Sequence, residues 1–269
     1  MSDRAWVALR ERVAELSLRR VAIRAIAVVM VLVILAGLGF YVYFGVFAHN
    51  APENVREDGR ANPNVSVSEA YGGYVVSDAD TGTERLGIVF YTGGRVAPGA
   101  YLPTAAKIAE RANVTVFIPK MRVNLAVFSQ GRAEAVIEGE SQVDRWVVGG
   151  HSLGGAMACR YAGSNPDAVA GILLVGSYCD QPVGQTPTLT ILGTRDAVLD
   201  REQFRDNRDN LPSDHTVRRI QGMNHSQAGW YSGQRGGQPA RISTPEAHRR
   251  IASAIARWLC GDLGYCADD

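Results

Sequence analysis

The sequence predicts an α/β fold, in which a mostly parallel sheet carries helices on both faces and one transmembrane helix precedes it. From residue 71 onward, short apolar, β-branched segments alternate with longer helix-compatible segments. A glycine-rich turn at residues 150–154 joins one such strand to the next helix, and an uncharged apolar stretch at residues 25–47 comes before all of them. Alternation of this kind is typical of right-handed βαβ units, which build parallel sheets between two helical layers.

Length and composition narrow the classes of function. A chain of 269 residues holds one sizeable domain and an extra segment. The formal charge of +1 and the lack of a basic stripe do not indicate nucleic-acid binding. Neither a P-loop nor a Cys/His cluster at zinc-ligand spacing is present in the sequence. We therefore expect no nucleic-acid partner and no metal or organic cofactor.

The N-terminal region is typical of a membrane anchor. Residues 25–47 carry no charge and are long enough as a helix to cross a hydrocarbon core of ~30 Å. The alternatives are a buried globular helix and a cleaved signal peptide. Arginines outnumber acidic residues before this stretch: Arg4, Arg10, Arg12, Arg19, Arg20 and Arg24. The positive-inside rule then places residues 1–24 in the cytoplasm and the rest of the chain outside the cell membrane.

The remaining chain divides into a linker and a globular domain. Residues 48–69 are polar and contain prolines, which favours a linker, and residues 70–269 are predicted to form the catalytic domain. Its predicted strands are residues 73–77, 87–91, 114–119, 146–149, 171–175, 188–192 and 216–220. Its predicted helices are residues 101–111, 132–138, 154–163, 200–210 and 245–259.

The turn at residues 150–154, called the elbow below, has the pattern Gly-x-Ser-x-Gly between a strand and a helix. Such a turn holds the serine, here Ser152, in a strained conformation that exposes its Oγ as a nucleophile. The N–H of Leu153 would lie at the helix N-terminus, where it can stabilise an oxyanion. The alternative is an ordinary glycine-rich turn, because the chain is rich in glycine.

A serine nucleophile needs a histidine base and a carboxylate that orients it, and both should follow strands. Asp196 follows the strand at residues 188–192, and Asp200 is the better candidate for capping the next helix. His225 follows the last strand. The other histidines are less suitably placed: His49 near the membrane, His151 in the elbow with its side chain expected to point elsewhere, His215 before a strand and His248 inside a helix.

The order Ser152, Asp196, His225 is the order found in α/β-hydrolases. After the strand at residues 87–91 comes a Gly-Gly turn, residues 92–95. A backbone N–H of Gly93 or Gly94 would be a second oxyanion donor beside Leu153. An ordinary turn is the alternative.

Taken together, these motifs resemble the dienelactone-hydrolase-like branch of the α/β-hydrolase superfamily. The resemblance rests on residues 88–96, 118–127, 149–158, 193–196 and 222–225. It implies an α/β-hydrolase fold and serine hydrolase chemistry with Ser152, Asp196 and His225. One departure is Thr92, where relatives often carry proline before the two glycines. The resemblance names no substrate, since the superfamily includes esterases, lipases, thioesterases, peptidases and perhydrolases.

The sequence therefore predicts a membrane-tethered serine hydrolase that acts on small ester-type molecules. Residues 176–187 are too short for a helical cap, so no large cap domain and a preference for short acyl groups are expected. The alternatives are an acyltransferase or perhydrolase with the same triad, and a non-catalytic binding module. Disulfides Cys159–Cys179 and Cys260–Cys266 are compatible with an outer compartment, and four free thiols are the alternative.

Overall fold

The computed structural model describes residues 3–79 and 86–265. By its internal contacts the chain divides into two compact units, Met1–Phe47 and Ala48–Asp269.

The first unit is one long helix. Helix α1 (Asp3–Tyr41) continues into a π-helical turn, Val42–Val46. Its apolar part, Arg19–Val46, comprises 28 residues. In the most apolar stretch of this part, no residue is buried against the rest of the protein. A helix of that length extends for about 42 Å, which exceeds the ~30 Å of a membrane core. Since it is exposed, this helix is not the core helix of a globular domain. It has the properties of a membrane anchor or a signal sequence.

The second unit is built on an eight-stranded sheet in the order β1-β2-β4-β3-β5-β6-β7-β8. The strands are β1 (Val65–Ala70), β2 (Gly73–Asp78), β3 (Leu86–Tyr91), β4 (Thr115–Ile118), β5 (Arg145–His151), β6 (Gly171–Val175), β7 (Thr188–Gly193) and β8 (Thr216–Ile220). Strands β1 and β2 are antiparallel to their neighbours, whereas β3 to β8 pair in parallel. The sequence prediction of a mostly parallel sheet is confirmed.

Helices cover both faces of this sheet. They are α2 (Glu53–Arg60), α3 (Leu102–Ala112), α4 (Arg132–Gly139), α5 (Leu153–Ser164), α6 (Arg201–Asp206) and α7 (Thr244–Leu263). Strand β3 is buried along its whole length. Its Ile88 and Phe90 pack in the cluster with α3 and α7, while Val89 and Tyr91 pack in the cluster with α4 and α5. A strand buried on both faces is continuously apolar, which explains the sequence pattern.

The structure differs from the sequence prediction at residues 48–69. A linker is predicted there, but the structure places α2 and β1 in this segment. Strand β1 is the outermost strand and only its Val65 is buried, so the segment lacks the apolar pattern of a central strand. The helix predicted over residues 200–210 is also divided, into α6 and a 3₁₀ turn, Arg208–Asn210.

A cap over the site is expected in the connection between β6 and β7. Residues 176–187 form a loop without a helix, so the absence of a large cap at this position agrees with the prediction. The carboxyl ends of β5, β6, β7 and β8 lie side by side, and they are where α/β proteins place their functional residues.

Candidate active site

Ser152 lies in the sharp turn between β5 and α5. Its backbone has φ 53° and ψ −125°, a strained combination for a residue other than glycine. The Ser152 N–H donates to the carbonyl oxygen of Val175 at 3.1 Å, which ties the turn to the end of β6. The side chain is partly exposed. The turn thus has the strand–turn–helix geometry predicted for the elbow.

Close backbone packing explains the small residues of the elbow. A Cβ on Gly154 would overlap the carbonyl oxygens of Tyr91 and Thr92 at the end of β3. On the other side, Oγ of Ser177 donates to the carbonyl oxygen of Ser152 at 2.6 Å. The elbow is therefore held between the ends of β3 and β6.

Asp196 and His225 form a buried pair at the ends of β7 and β8. Nδ1 of His225 lies 2.8 Å from Oδ2 of Asp196. The second carboxylate oxygen accepts from the N–H groups of Val198 and Leu199 at 3.0 and 2.9 Å. Burial opposes ionisation of Asp196, but the bonds from His225 and the two N–H groups outweigh it, and the pKa of Asp196 is lowered. Asp196 is therefore a carboxylate that fixes the orientation of the imidazole.

The loop that carries His225 is itself held rigidly. Asn224 and Gln227 form a reciprocal capping box around a 3₁₀ turn, His225–Ala228. Because Nδ1 faces a carboxylate, it carries the proton, and Nε2 is left as the acceptor. This Nε2 is buried and has no hydrogen-bond partner in residues 3–79 and 86–265. The described residues include no hydrogen bond between it and Oγ of Ser152.

Gly176 connects the elbow to this pair. It directly follows Val175, which binds the Ser152 N–H, and it adopts φ +54°. A Cβ there would lie 2.9 Å from Oδ2 of Asp196 and 3.1 Å from Nδ1 of His225. Glycine is therefore required at this position, both by the positive φ and by the lack of room for a Cβ. The three residues predicted as a triad are thus gathered around the end of β6.

Two other aspartates in the loops after β6 and β7 are engaged elsewhere. Oδ1 of Asp200 accepts from the N–H groups of Glu202 and Gln203 at 2.9 and 3.0 Å, so Asp200 is the N-cap of α6, as the sequence predicts. Asp180 pairs with Arg160 at the surface.

The three residues predicted as oxyanion donors have different surroundings. The N–H of Gly93 already donates to the hydroxyl of Tyr101 at 2.9 Å. The N–H groups of Gly94 and Leu153 make no hydrogen bond within the part of the chain that the structure describes. These two residues are neighbours, since a Cβ on Gly94 would lie 3.4 Å from Cδ2 of Leu153. Gly94 is therefore better suited than Gly93 as the second donor.

His151 is where the sequence reasoning fails. Its side chain is predicted to point away, but it is only 1% exposed and its ring centroid lies 4.3 Å from that of His225. The period of β5 was a usable signal, because it places His151 on the same face as Val147, towards α3 and Tyr101. Gly176 and Ser177, which also support the site, follow a strand without any motif that marks them.

A disulfide lies behind the elbow. Cys159 of α5 is bonded to Cys179 in the loop after β6, with their Cα atoms 5.4 Å apart. The predicted pairing of these two residues is confirmed. Cys266 lies outside the described residues, so its pairing with Cys260 stays a prediction.

Comparison with known proteins identifies the family and the fold. The model of the alpha/beta hydrolase family matches residues 87–249, more than half of the chain. No curated protein matches. A dienelactone hydrolase from Anabaena variabilis ATCC 29413 has a similar structure, with a TM-score of 0.54 and 17% identity over 76% of this chain and 100% of its own. A thermostable esterase from Pseudomonas putida ECU1011 has a TM-score of 0.51 and 14% identity, over 75% of this chain and 86% of its own. At these identities the likeness shows the fold, and the family match shows that the chain belongs to the alpha/beta hydrolase family.

Proposed function

We propose that this protein is a membrane-tethered serine hydrolase that cleaves carboxylic esters. The observation that carries the proposal is the buried His225–Asp196 pair, whose Nε2 has no partner within the described residues. The pair lies at the same edge of the sheet as Ser152, whose backbone is strained. Such strain is typical of a nucleophile elbow. A serine hydroxyl is a weak nucleophile until an adjacent base removes its proton.

In this proposal Ser152 Oγ attacks the acyl carbon while Nε2 of His225 takes its proton. The N–H groups of Leu153 and Gly94 stabilise the negative oxygen of the tetrahedral intermediate. Asp196 stabilises the imidazolium, which then gives its proton to the departing alcohol and leaves an acyl-serine. Water, deprotonated by His225, attacks that ester, and His225 returns the proton to Oγ of Ser152 as the acid is released.

The surroundings of Gly94 favour an apolar acyl group of limited length. Cδ2 of Leu125 would lie 3.7 Å from a Cβ on Gly94, on the same side as Leu153. Both leucines are only partly buried, so they offer apolar surface beside the oxyanion site. The loop of residues 176–187 has no helix that could enclose a long chain. Short-acyl esters are the substrate class that fits.

The membrane location rests on separate features. The exposed apolar helix Arg19–Val46 fits an anchor, and the arginines before it favour a cytoplasmic N-terminal segment, residues 1–24. With residues 25–47 in the membrane, the domain Ala48–Asp269 is outside. The Cys159–Cys179 disulfide supports this side, because disulfides persist in oxidising compartments.

The test is labelling of the full-length protein with a fluorophosphonate probe, together with hydrolysis of p-nitrophenyl acetate. We expect labelling at Ser152, with loss of labelling and turnover in Ser152→Ala. The matched control is Ser164→Ala, which changes an exposed serine at the other end of α5 and should leave both unchanged. A folded protein that is not labelled would instead be a binding module. Labelling with acyl transfer to an alcohol or peroxide, faster than to water, would indicate an acyltransferase or perhydrolase.

A further inference from the structure

A buried chain of polar contacts joins the Gly-Gly turn to the elbow. The N–H of Gly93 donates to Oη of Tyr101 at 2.9 Å, and the same Oη lies 2.9 Å from Nδ1 of His151. Tyr101 and His151 are each 1% exposed. Neither residue belongs to the proposed triad. Their polar atoms nevertheless join the Gly-Gly turn to His151, the residue before Ser152.

The direction of these hydrogen bonds follows from the donors available. A tyrosine hydroxyl has one proton to donate. Oη of Tyr101 accepts from Gly93, and within residues 3–79 and 86–265 its one other hydrogen-bond partner is Nδ1 of His151, so we assign the hydroxyl proton to that contact. The neutral imidazole of His151 then carries its proton on Nε2. Burial, with a smaller contribution from nearby His225, holds the pKa of His151 well below its ordinary value, so the ring stays neutral.

His151 contacts both parts of the catalytic apparatus. A Cβ on Gly93 would lie 2.8 Å from Nδ1 of His151, so the Gly-Gly turn lies directly against this ring. On the other side the ring packs against His225, with centroids 4.3 Å apart. An imidazolium at this distance would oppose the positive charge that His225 acquires during the reaction, whereas a neutral ring does not.

We propose that Tyr101 and His151 are positioning residues that hold the Gly-Gly turn and the imidazole of His225 in register for the transition state. The proposal rests on the proposed serine hydrolase function. Oxyanion donors contribute through fixed placement, and a displacement of about 1 Å can cost about 100-fold in rate. In this proposal the hydroxyl of Tyr101 fixes the position of the Gly-Gly turn. It also fixes the tautomer of His151, the ring against which His225 packs.

The principal test is Tyr101→Phe, which keeps the ring and removes only the hydroxyl. In full-length protein purified in detergent, we expect kcat for p-nitrophenyl acetate to fall about 10-fold while KM changes by less than about twofold, because the oxyanion donors act mainly in the transition state. The inhibition constant of an alkylboronic acid, which mimics the tetrahedral intermediate, should rise by a similar factor. A residue needed only for folding would lower the amount of active protein and leave both constants of the remaining enzyme unchanged.

The matched control is Tyr231→Phe. Tyr231 is also a buried tyrosine beside His151, with ring centroids 6.3 Å apart, but its hydroxyl donates to Oε1 of Gln234 at 2.8 Å. Its kcat and boronic acid affinity should stay within about twofold of the wild type. Equal effects of Tyr101→Phe and Tyr231→Phe would overturn the proposal.

Variants at His151 test the second half of the contact and do not depend on how well Tyr101→Phe folds. His151→Asn keeps an acceptor near the position of Nδ1 and should retain most of the activity, whereas His151→Leu should lose about as much as Tyr101→Phe. The double variant Tyr101→Phe/His151→Leu should be little worse than either single variant, because the two residues act through one contact. Additive losses would contradict the proposal.

A spectroscopic readout is independent of turnover. In ¹⁵N spectra of histidine-labelled wild type, His151 should be the Nε2–H tautomer, and Tyr101→Phe should change it. A wild-type His151 protonated on Nδ1 would overturn the proposal. If the wild type is labelled at Ser152 but Tyr101→Phe leaves its kinetic constants unchanged, this proposal alone is overturned. If the wild type is never labelled, the proposed function is overturned and this proposal with it.

Discussion

Nδ1 of His225 donates to Asp196 at 2.8 Å, with the two residues only 2% and 3% exposed. A carboxylate buried this deeply is stable as an ion because three donors surround it. The same bonds leave Asp196 no freedom to rotate, and through it they fix the ring of His225. The pair therefore accounts for both the orientation and the tautomer of the proposed base.

Asp196→Asn should remove activity without removing the fold. The amide can replace the carboxylate sterically, but it no longer favours the Nδ1–H tautomer or stabilises an imidazolium. We expect kcat/KM for p-nitrophenyl acetate to fall about 10³–10⁴-fold, since members of such a triad act as a unit. Circular dichroism should confirm that the variant is folded.

Asp200→Asn is the control for this prediction. Asp200 is a nearby aspartate that caps α6, and asparagine caps helices equally well. Its activity and stability should be close to those of the wild type. Near-normal turnover in Asp196→Asn, or a large loss in Asp200→Asn, would show that the acid has been assigned to the wrong residue.

Removing the Cys159–Cys179 disulfide should destabilise the domain. The bond closes a loop with a sequence separation of 20, for which chain entropy predicts about 3 kcal/mol. We expect Cys159→Ala/Cys179→Ala to lower the free energy of unfolding in urea by roughly that amount. Ser164→Ala serves as the comparison, because it changes an exposed residue of α5 that is not part of the bond, and it should leave the free energy of unfolding nearly unchanged. Equal stability of the double variant and the wild type would mean that the disulfide contributes nothing to the folded state.

His248 should make stability depend on pH in mildly acidic solution. It is buried in α7, and its Nε2 lies 3.2 Å from the carbonyl oxygen of Gly229. Burial lowers the pKa of His248 to about 4, although the bond to Gly229 opposes the shift. The unfolded chain binds this proton near the ordinary value of 6.5. Stability is therefore complete above pH 6.5 and decreases as the pH falls towards 4, by about 3 kcal/mol.

The matched variant is His248→Gln, whose side-chain amide can still donate to Gly229. Urea unfolding at pH 7 and pH 4 should show a loss of stability that is about 3 kcal/mol smaller in this variant than in the wild type. Other groups titrate alike in both proteins and cancel in the comparison. The same pH dependence in both would refute the assignment to His248.

Much of the fold could be predicted because buried parallel strands have a strong signature. The strands from β3 to β8 are mostly apolar and are separated by helices, and the elbow marks itself by its glycines. Strand β1 and helix α2 could not be predicted this way. Strand β1 is an edge strand with one buried side chain, and α2 is a polar helix without any. Their sequences resemble that of a linker, because tertiary pairing rather than a local pattern stabilises them.

The site was predictable to a similar degree. Asp196 and His225 could be chosen because side chains after neighbouring parallel strands converge, and their contact in the structure follows that rule. The involvement of Gly93 with Tyr101 could not be foreseen, since it depends on how the start of α3 packs under the turn. Contacts between a loop and the start of a helix leave no periodic trace in the sequence.

Substrate length is the next prediction. Residues 176–187 contain no helix, and Leu125 and Leu153 offer apolar surface beside Gly94, so the enzyme should prefer p-nitrophenyl acetate and butyrate over the decanoate and palmitate esters. Activity should not jump at the micelle concentration of the substrate, because there is no cap in this connection to open. A maximum at long chains with interfacial activation would contradict it.

The last prediction concerns membrane topology. Arg19, Arg20 and Arg24 lie at the start of the apolar helix and should stay in the cytoplasm, so the helix emerges with residue 47 on the outside. Protease added to intact cells should then degrade the domain Ala48–Asp269, and non-reducing mass spectrometry of the full-length protein should find the Cys159–Cys179 disulfide. The control is the same treatment of permeabilised cells, in which residues 1–24 also become accessible.

If the protein were a cleaved export product, its N-terminus would lie beyond the apolar helix. Protection of the domain together with four reduced thiols would reverse the orientation, because a cytoplasmic domain is kept reduced. The chemistry proposed for Ser152 would be unaffected by that reversal.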